Sequence, residues 1–208
     1  MKISIKIFCV LYLIIPFLSL NPRSEVFFSP DDSPTKRLIE IINTTKKRVY
    51  AAVYMLTDKQ IAAALVSAKQ RGVDVKIIID KATADYEYGK SKVLQEAGID
   101  VYVFADDSKN KKFGALMHNK FAILDEKIWT GSFNWTKSAN QKNQENVILT
   151  TNKKVCQKFE EHFEILKKRC FLNKGSHRKP KNNNYDSEKT FWEKLKELIM
   201  QFPVSKQI

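Results

Sequence analysis

From Met117 to Glu145 the chain reads MHNKFAILDEKIWTGSFNWTKSANQKNQE, and four of its side chains suit phosphate chemistry by type and spacing. An apolar, β-branched run leads into a charged turn at Asp125-Glu126-Lys127. A second strand-like run follows from Ile128 to Phe133, and then a polar loop. Alternate side chains of a strand share a face, so His118 and Lys120 point the same way, as do Ser132 and Asn134. If the two runs pair as a hairpin, an imidazole, an ammonium, a hydroxyl and an amide converge on one spot. A phosphodiester repels anionic nucleophiles. A neutral imidazole, with an ordinary pKa of about 6.5, is therefore a suitable attacker, and the other groups can hold the phosphate oxygens.

Such a set needs a scaffold, and the residues before it supply one. Val26-Phe27-Phe28 reads as a short strand stopped at Ser29-Pro30. Ser33 then caps a helix with Pro34 at its first position and Leu38, Ile39, Ile41 and Ile42 as its apolar stripe. Arg48 to Leu56 is a buried strand. Thr57-Asp58-Lys59-Gln60 has the capping-box form and opens a helix that places Ile61, Leu65 and Ala68 on one face and ends at Arg71-Gly72. Val73 to Asp80 and Ile99 to Phe104 are further strands, with a helix from Ser91 to Ala97 between them. After the hairpin come a strand over Asn146 to Thr151 and a closing helix marked by Val155, Phe159, Phe163 and Leu166. Strands alternating with helices predict an α/β fold of the parallel type with right-handed crossovers. Ligands of such sheets gather beyond the carboxyl ends of the strands.

Apolar content of 43% in 208 residues is enough for one real core, which excludes a globally disordered chain. The formal charge is +13; without residues 1–20, which carry Lys2 and Lys6, 34 basic residues face 23 acidic ones, or +11. That surplus favours polyanions, either nucleic acid or anionic lipid head groups. The cysteines are Cys9, Cys156 and Cys170, with no C-x-x-C and no His/Cys pair at zinc spacing. Cys156 and Cys170 fall on one predicted helix, where a rise of about 1.5 Å per residue separates them by roughly 21 Å and forbids a bridge. Lys2 and Lys6 precede an apolar run from Ile7 to Leu20, so residues 1–25 read as a signal peptide or membrane anchor and predict export, periplasmic or secreted. The domain proper is placed at residues 26–170. A basic, Asn-rich linker is placed at 171–186, and a short amphipathic segment at 187–208 carries Phe191, Leu195, Leu198 and Phe202.

His118-x-Lys120-x-x-x-x-Asp125 followed by Gly131-Ser132-x-Asn134 resembles the HKD motif of the phospholipase D superfamily. Phe27-Phe28-Ser29-Pro30, Tyr54-Met55-Leu56-Thr57, Arg71-Gly72-Val73-x-Val75, Gly131-Ser132-Phe133-Asn134-Trp135-Thr136 and Asn143-x-Glu145-Asn146 extend the likeness. They point to the small single-motif members, the Nuc-type bacterial endonucleases and the mitochondrial cardiolipin hydrolases. The resemblance covers about residues 26–170. It implies a mixed, mostly parallel sheet flanked by helices, with one motif per chain and neither metal nor cofactor. It also implies a phosphohistidine on His118, non-bridging oxygens held by Lys120 and Asn134, a further hydrogen bond from Ser132, and Glu145 orienting the histidine. Asp125 is the motif's aspartate, but five residues separate it from Gly131 where the family pattern has six. The cysteine-rich zinc insert of the animal cardiolipin hydrolases is absent.

The reaction implied requires a second histidine to protonate the leaving oxygen. His162 lies in a predicted helix with no lysine two residues on. His177-Arg178-Lys179 repeats H-x-K inside the linker, without the aspartate or the Gly-Ser-x-Asn that should follow. The other half of the site is therefore expected from a second copy across a twofold axis. Lys109, Lys111 and Lys112, in the polar loop before the motif, are candidates for steering a phosphate backbone. The leading expectation is a metal-independent phosphodiesterase acting on nucleic acid as an endonuclease, with single strands, whose backbone is accessible, as the expected form. The first alternative is a phospholipase D or cardiolipin hydrolase, with membrane association through the apolar amino terminus. The second is a non-catalytic protein that binds nucleic acid or membrane.

Overall fold

A computed structural model describes residues 23–84, 86–105 and 115–172. Among these, eight strands form one open sheet in the order β1-β7-β6-β5-β2-β3-β4-β8, flanked by helices. In chain order the strands are β1 (Ser24–Ser29), β2 (Arg48–Val53), β3 (Asp74–Asp80), β4 (Asp100–Phe104), β5 (Lys120–Leu124), β6 (Lys127–Gly131), β7 (Glu145–Thr150) and β8 (Cys170–Leu172). The helices are α1 (Pro34–Thr44), α2 (Lys59–Gln70), α3 (Lys81–Ala84), α4 (Ser91–Glu96), α5 (Lys137–Gln141) and α6 (Lys153–Lys168).

The mixed sheet flanked by helices is as expected, but the parallel share is smaller than the sequence implied. Only β2–β3 and β3–β4 pair in parallel, and the other five pairings are antiparallel. The β-α-β units of the amino-terminal half build the parallel part. Hairpins and returns after residue 115 add strands that run both ways.

Period-two alternation splits the core in two. On one face Val49, Ala51, Ile77, Val101, Ala122 and Trp129 pack under Leu38 and Ile42 of α1 and Ile61 and Leu65 of α2. On the other face Ala52, Ile78, Phe121, Ile123 and Ile128 meet Cys156, Phe163 and Leu166 of α6.

Helix entries differ in detail from the expectations. Ser33 occupies the cap of α1 in the left-handed region (φ 48) and makes no side-chain cap bond. In α2 the cap is Asp58, not Thr57: its carboxylate accepts the Gln60 and Ile61 N–H groups at 2.8 and 3.1 Å. Gly72, at φ 88, does close α2 in the left-handed conformation. The second strand ends at Val53 rather than Leu56, and among the described residues the first strand is β1 (Ser24–Ser29) and the last β8 (Cys170–Leu172). Cys170 falls in β8 rather than on the helix, and Cys156 and Cys170 are both free thiols. The expectations for residues 1–22, for the linker and for the amphipathic segment lie outside the described residues, as do Lys109, Lys111 and Lys112.

Candidate active site

The carboxyl ends of β1, β2, β3 and β6 and the amino ends of β5 and β7 all reach the same edge of the sheet. His118 stands there, two residues before β5 begins. Its ring is exposed and lies against Tyr54, which follows β2, with centroids 4.7 Å apart and planes tilted by 59°. Lys120 opens β5 and is buried, with 8% of its surface accessible. Its Nζ donates to the His118 carbonyl oxygen at 2.6 Å and sits 5.4 Å from the Tyr54 ring centroid. Burial lowers the Lys120 pKa, and the Glu145 carboxylate acts against that shift. The carboxylate that tunes the ammonium therefore stands at the start of β7, opposite Ser29 of β1. The Asn143 side-chain amide donates to Glu145 Oε1 at 3.1 Å and fixes its direction.

Asn134 reaches the same edge by a crossing segment. Beyond Gly131 the chain leaves β6 and passes to the end of β2, where the Trp135 N–H donates to the Met55 carbonyl and the Thr57 N–H to the Trp135 carbonyl, both at 3.0 Å. The Asn134 side-chain oxygen is buried without a hydrogen-bond partner among the described residues. Ser132 is exposed. Its hydroxyl accepts the Asn146 N–H at 3.1 Å, which leaves the hydroxyl proton available.

Asp125 is not brought to this edge. It lies past the far end of β5, at φ 54, where its carboxylate accepts the N–H groups of Lys46, Lys47 and Arg48 at 2.9, 2.9 and 3.0 Å. Partial burial works against its ionisation. The three N–H groups and the Lys47 charge outweigh that and hold the carboxyl below the ordinary range. Its position corrects the expectation of a catalytic aspartate: a strand of five residues, about 17 Å long, separates it from the histidine, and its work is to pin the β5–β6 turn to the start of β2.

Three further residues hold the site: Asp80 and Thr83 were not singled out in the sequence, and Gly131 was read there only as part of the motif. Asp80, buried at the end of β3, accepts the Met117 N–H at 2.7 Å and the Ala82 N–H at 2.8 Å, anchoring the residue before His118. The Thr83 hydroxyl donates to the Tyr54 carbonyl, tying down the ring that backs His118. Gly131 lets β6 and β7 close: a Cβ there would stand 2.0 Å from the Asn146 carbonyl oxygen. Of the other histidine candidates, His162 is exposed on α6 with its ring 6.3 Å from Phe121, and His177 lies outside the described residues.

A family model described as cardiolipin synthase, PLD-like domain, matches residues 38–167. A phospholipase D of Rickettsia bellii is 37% identical over 135 residues, a match covering 64% of each chain and so just under two thirds of the relative's length. A mitochondrial cardiolipin hydrolase of Chlamydomonas reinhardtii is 28% identical, over 69% of this chain and 62% of its own. Among solved structures, the phospholipase D family member Nuc from Salmonella typhimurium superposes with a TM-score of 0.66 at 30% identity, covering 74% of this chain and all of the other. With the family model matched over more than half its length and the sheet shared with Nuc, the chain belongs to the phospholipase D superfamily.

Proposed function

We propose that the chain is a metal-independent phosphodiesterase that cleaves nucleic acid through a phosphohistidine formed on His118. The observation that carries this reading is the coupling of nucleophile and cation. An exposed imidazole backed by Tyr54 shares one rigid unit with a buried ammonium bonded to its own carbonyl. In the first step a His118 ring nitrogen forms a bond to phosphorus as the bond to the leaving oxygen breaks. That oxygen takes a proton from the second histidine, which then becomes the base that deprotonates the attacking water. Water replaces the imidazole on phosphorus and regenerates His118. Lys120 and the Asn134 amide hold the non-bridging oxygens, the Ser132 proton adds a third bond, and Glu145 orients the imidazole. The second histidine is the His118 of another copy, so the active unit is a homodimer.

The formal charge of +13 fits nucleic acid and anionic lipid alike, and nucleic acid is placed first because the chain superposes on Nuc over the whole of that structure. A phospholipid substrate is the second reading, supported by relatives named phospholipase D and cardiolipin hydrolase and by the apolar run before Asn21. That run also supports export with or without membrane anchoring. The deciding experiment offers the purified protein single-stranded DNA, RNA and labelled phospholipids in the presence of EDTA. DNA cleavage lost in His118→Ala is the expected result. Lipid turnover with intact DNA reverses the two readings, and DNA retention without any cleavage leaves a binding protein.

A further inference from the structure

Tyr86 and Tyr88 are 49% and 62% exposed, with ring centroids 5.7 Å apart in an edge-to-face arrangement. They are presented by a tight turn. The Gly89 N–H donates to the Tyr86 carbonyl at 2.8 Å, and a Cβ on Gly89 would lie 2.9 Å from that oxygen and 3.3 Å from the Thr83 carbonyl. Only glycine closes such a turn without displacement. The turn is also fixed to the candidate site from both sides. Before it, Thr83 donates to the carbonyl of Tyr54, whose ring lies against His118; after it, the Lys90 N–H donates to the Leu56 carbonyl at 3.1 Å. A lysine borders the rings: Lys90 Nζ donates to the Tyr88 carbonyl at 2.9 Å, and burial lowers its pKa.

We infer that Tyr86 and Tyr88 form a base-stacking platform beside the reacting phosphodiester, with Lys90 on the strand's backbone, so that the surface takes single-stranded nucleic acid. The inference rests on the nuclease reading and adds to it the element that grips the bases. Aromatic rings interleaved with cations are what a sequence-tolerant single-strand site needs, because every base has a π-face.

The test uses the full chain carrying His118→Ala, so that binding is read without cleavage. Fluorescence anisotropy compares a labelled oligothymidylate with an abasic strand of equal length. The base-bearing strand is expected to bind about tenfold tighter or more. Adding Tyr86→Ala and Tyr88→Ala should erase that difference while leaving the slope of affinity against salt unchanged, since the phosphate contacts remain. Tyr86→Phe with Tyr88→Phe should keep it. A base preference that survives the alanine changes overturns the inference alone. So does a loss of binding to phosphatidylglycerol vesicles with DNA affinity unmoved, which makes the pair a membrane contact. Failure of the parent protein to bind either strand removes the nuclease reading and the platform with it.

Discussion

His118, Lys120 and Asp125 stand in one motif by sequence, yet the structure gives them opposite ends of a strand. Lys120 is a cation kept under cover beside the imidazole. Burial holds its pKa below the lysine range, so the unfolded chain binds this proton more tightly than the folded one, and stability gains as pH rises through that window. Replacing it with methionine removes a buried charge. Lys120→Met is expected to melt no lower than wild type while kcat/KM falls by about a hundredfold to a thousandfold, measured by thermal melts beside phosphodiesterase assays. Activity at alkaline pH should also fail below about pH 10.4, the ordinary lysine value, in a profile of kcat/KM. Asp125 behaves in the reverse sense. Its folded carboxyl is depressed, so its contribution is complete above about pH 4 and is lost as pH falls through the folded value. Asp125→Asn should cost about 1–2 kcal/mol at neutral pH, discounted for its solvent contact, and the deficit should close in acid. Turnover per folded molecule should hold. A variant that folds as well as wild type but loses turnover would return Asp125 to the chemistry. Asparagine tolerates the left-handed backbone at this position, so the substitution tests the charge and not the turn.

At the level of elements, the site is a junction of strand ends, and Gly131 decides how closely two of them meet. The obstacle to a side chain there is backbone, the Asn146 carbonyl, which cannot rotate away. Gly131→Ala should therefore part β6 from β7 and cost about 2–3 kcal/mol, a drop in Tm of about 4–12 °C in a thermal scan. Because the Ser132–Asn134 segment and Glu145 both continue from those strand ends, kcat should fall even well below the melt. Wild-type kcat with a wild-type Tm would show that the strands part at no cost. The run of glycine, serine and asparagine was readable in the sequence, but the reason for the glycine was not, since the atom that forbids a side chain lies fifteen residues on. The same holds for Asp80, which anchors Met117 across 37 residues, and for Thr83, which reaches Tyr54 across 29. Local patterns did announce the β-branched strands β2 and β3, the β5–β6 hairpin and α6. Strand direction is not written in such patterns, because an apolar run looks the same whichever way its neighbour points, so the antiparallel majority came only with the register. β8 left no signal: three residues directly after a helix are too short for alternation to show.

For the whole molecule, the deciding count is of histidines at the sheet edge. His118 stands there with Lys120 and Tyr54, while His162, the other described histidine, is on α6 against Phe121 of the opposite face's core. An in-line displacement needs a proton donor on the side away from the nucleophile, and a single chain offers His118 alone at that edge among its described residues. In the proposed homodimer a twofold axis near the strand ends would supply the second imidazole as the counterpart of the first, since an isologous contact places the same patch on both copies. Such sharing has a measurable signature. When wild type and His118→Ala are co-expressed in equal amounts and pair at random, about a quarter of the dimers carry two histidines, and heterodimers lack either the nucleophile or the acid. Activity per total protein should then be about a quarter of wild type, against about a half if each chain worked alone. Sedimentation of the same samples fixes the species present. An activity of one half, or full activity from a sedimenting monomer, would place a complete site within one chain and remove the need for the partner.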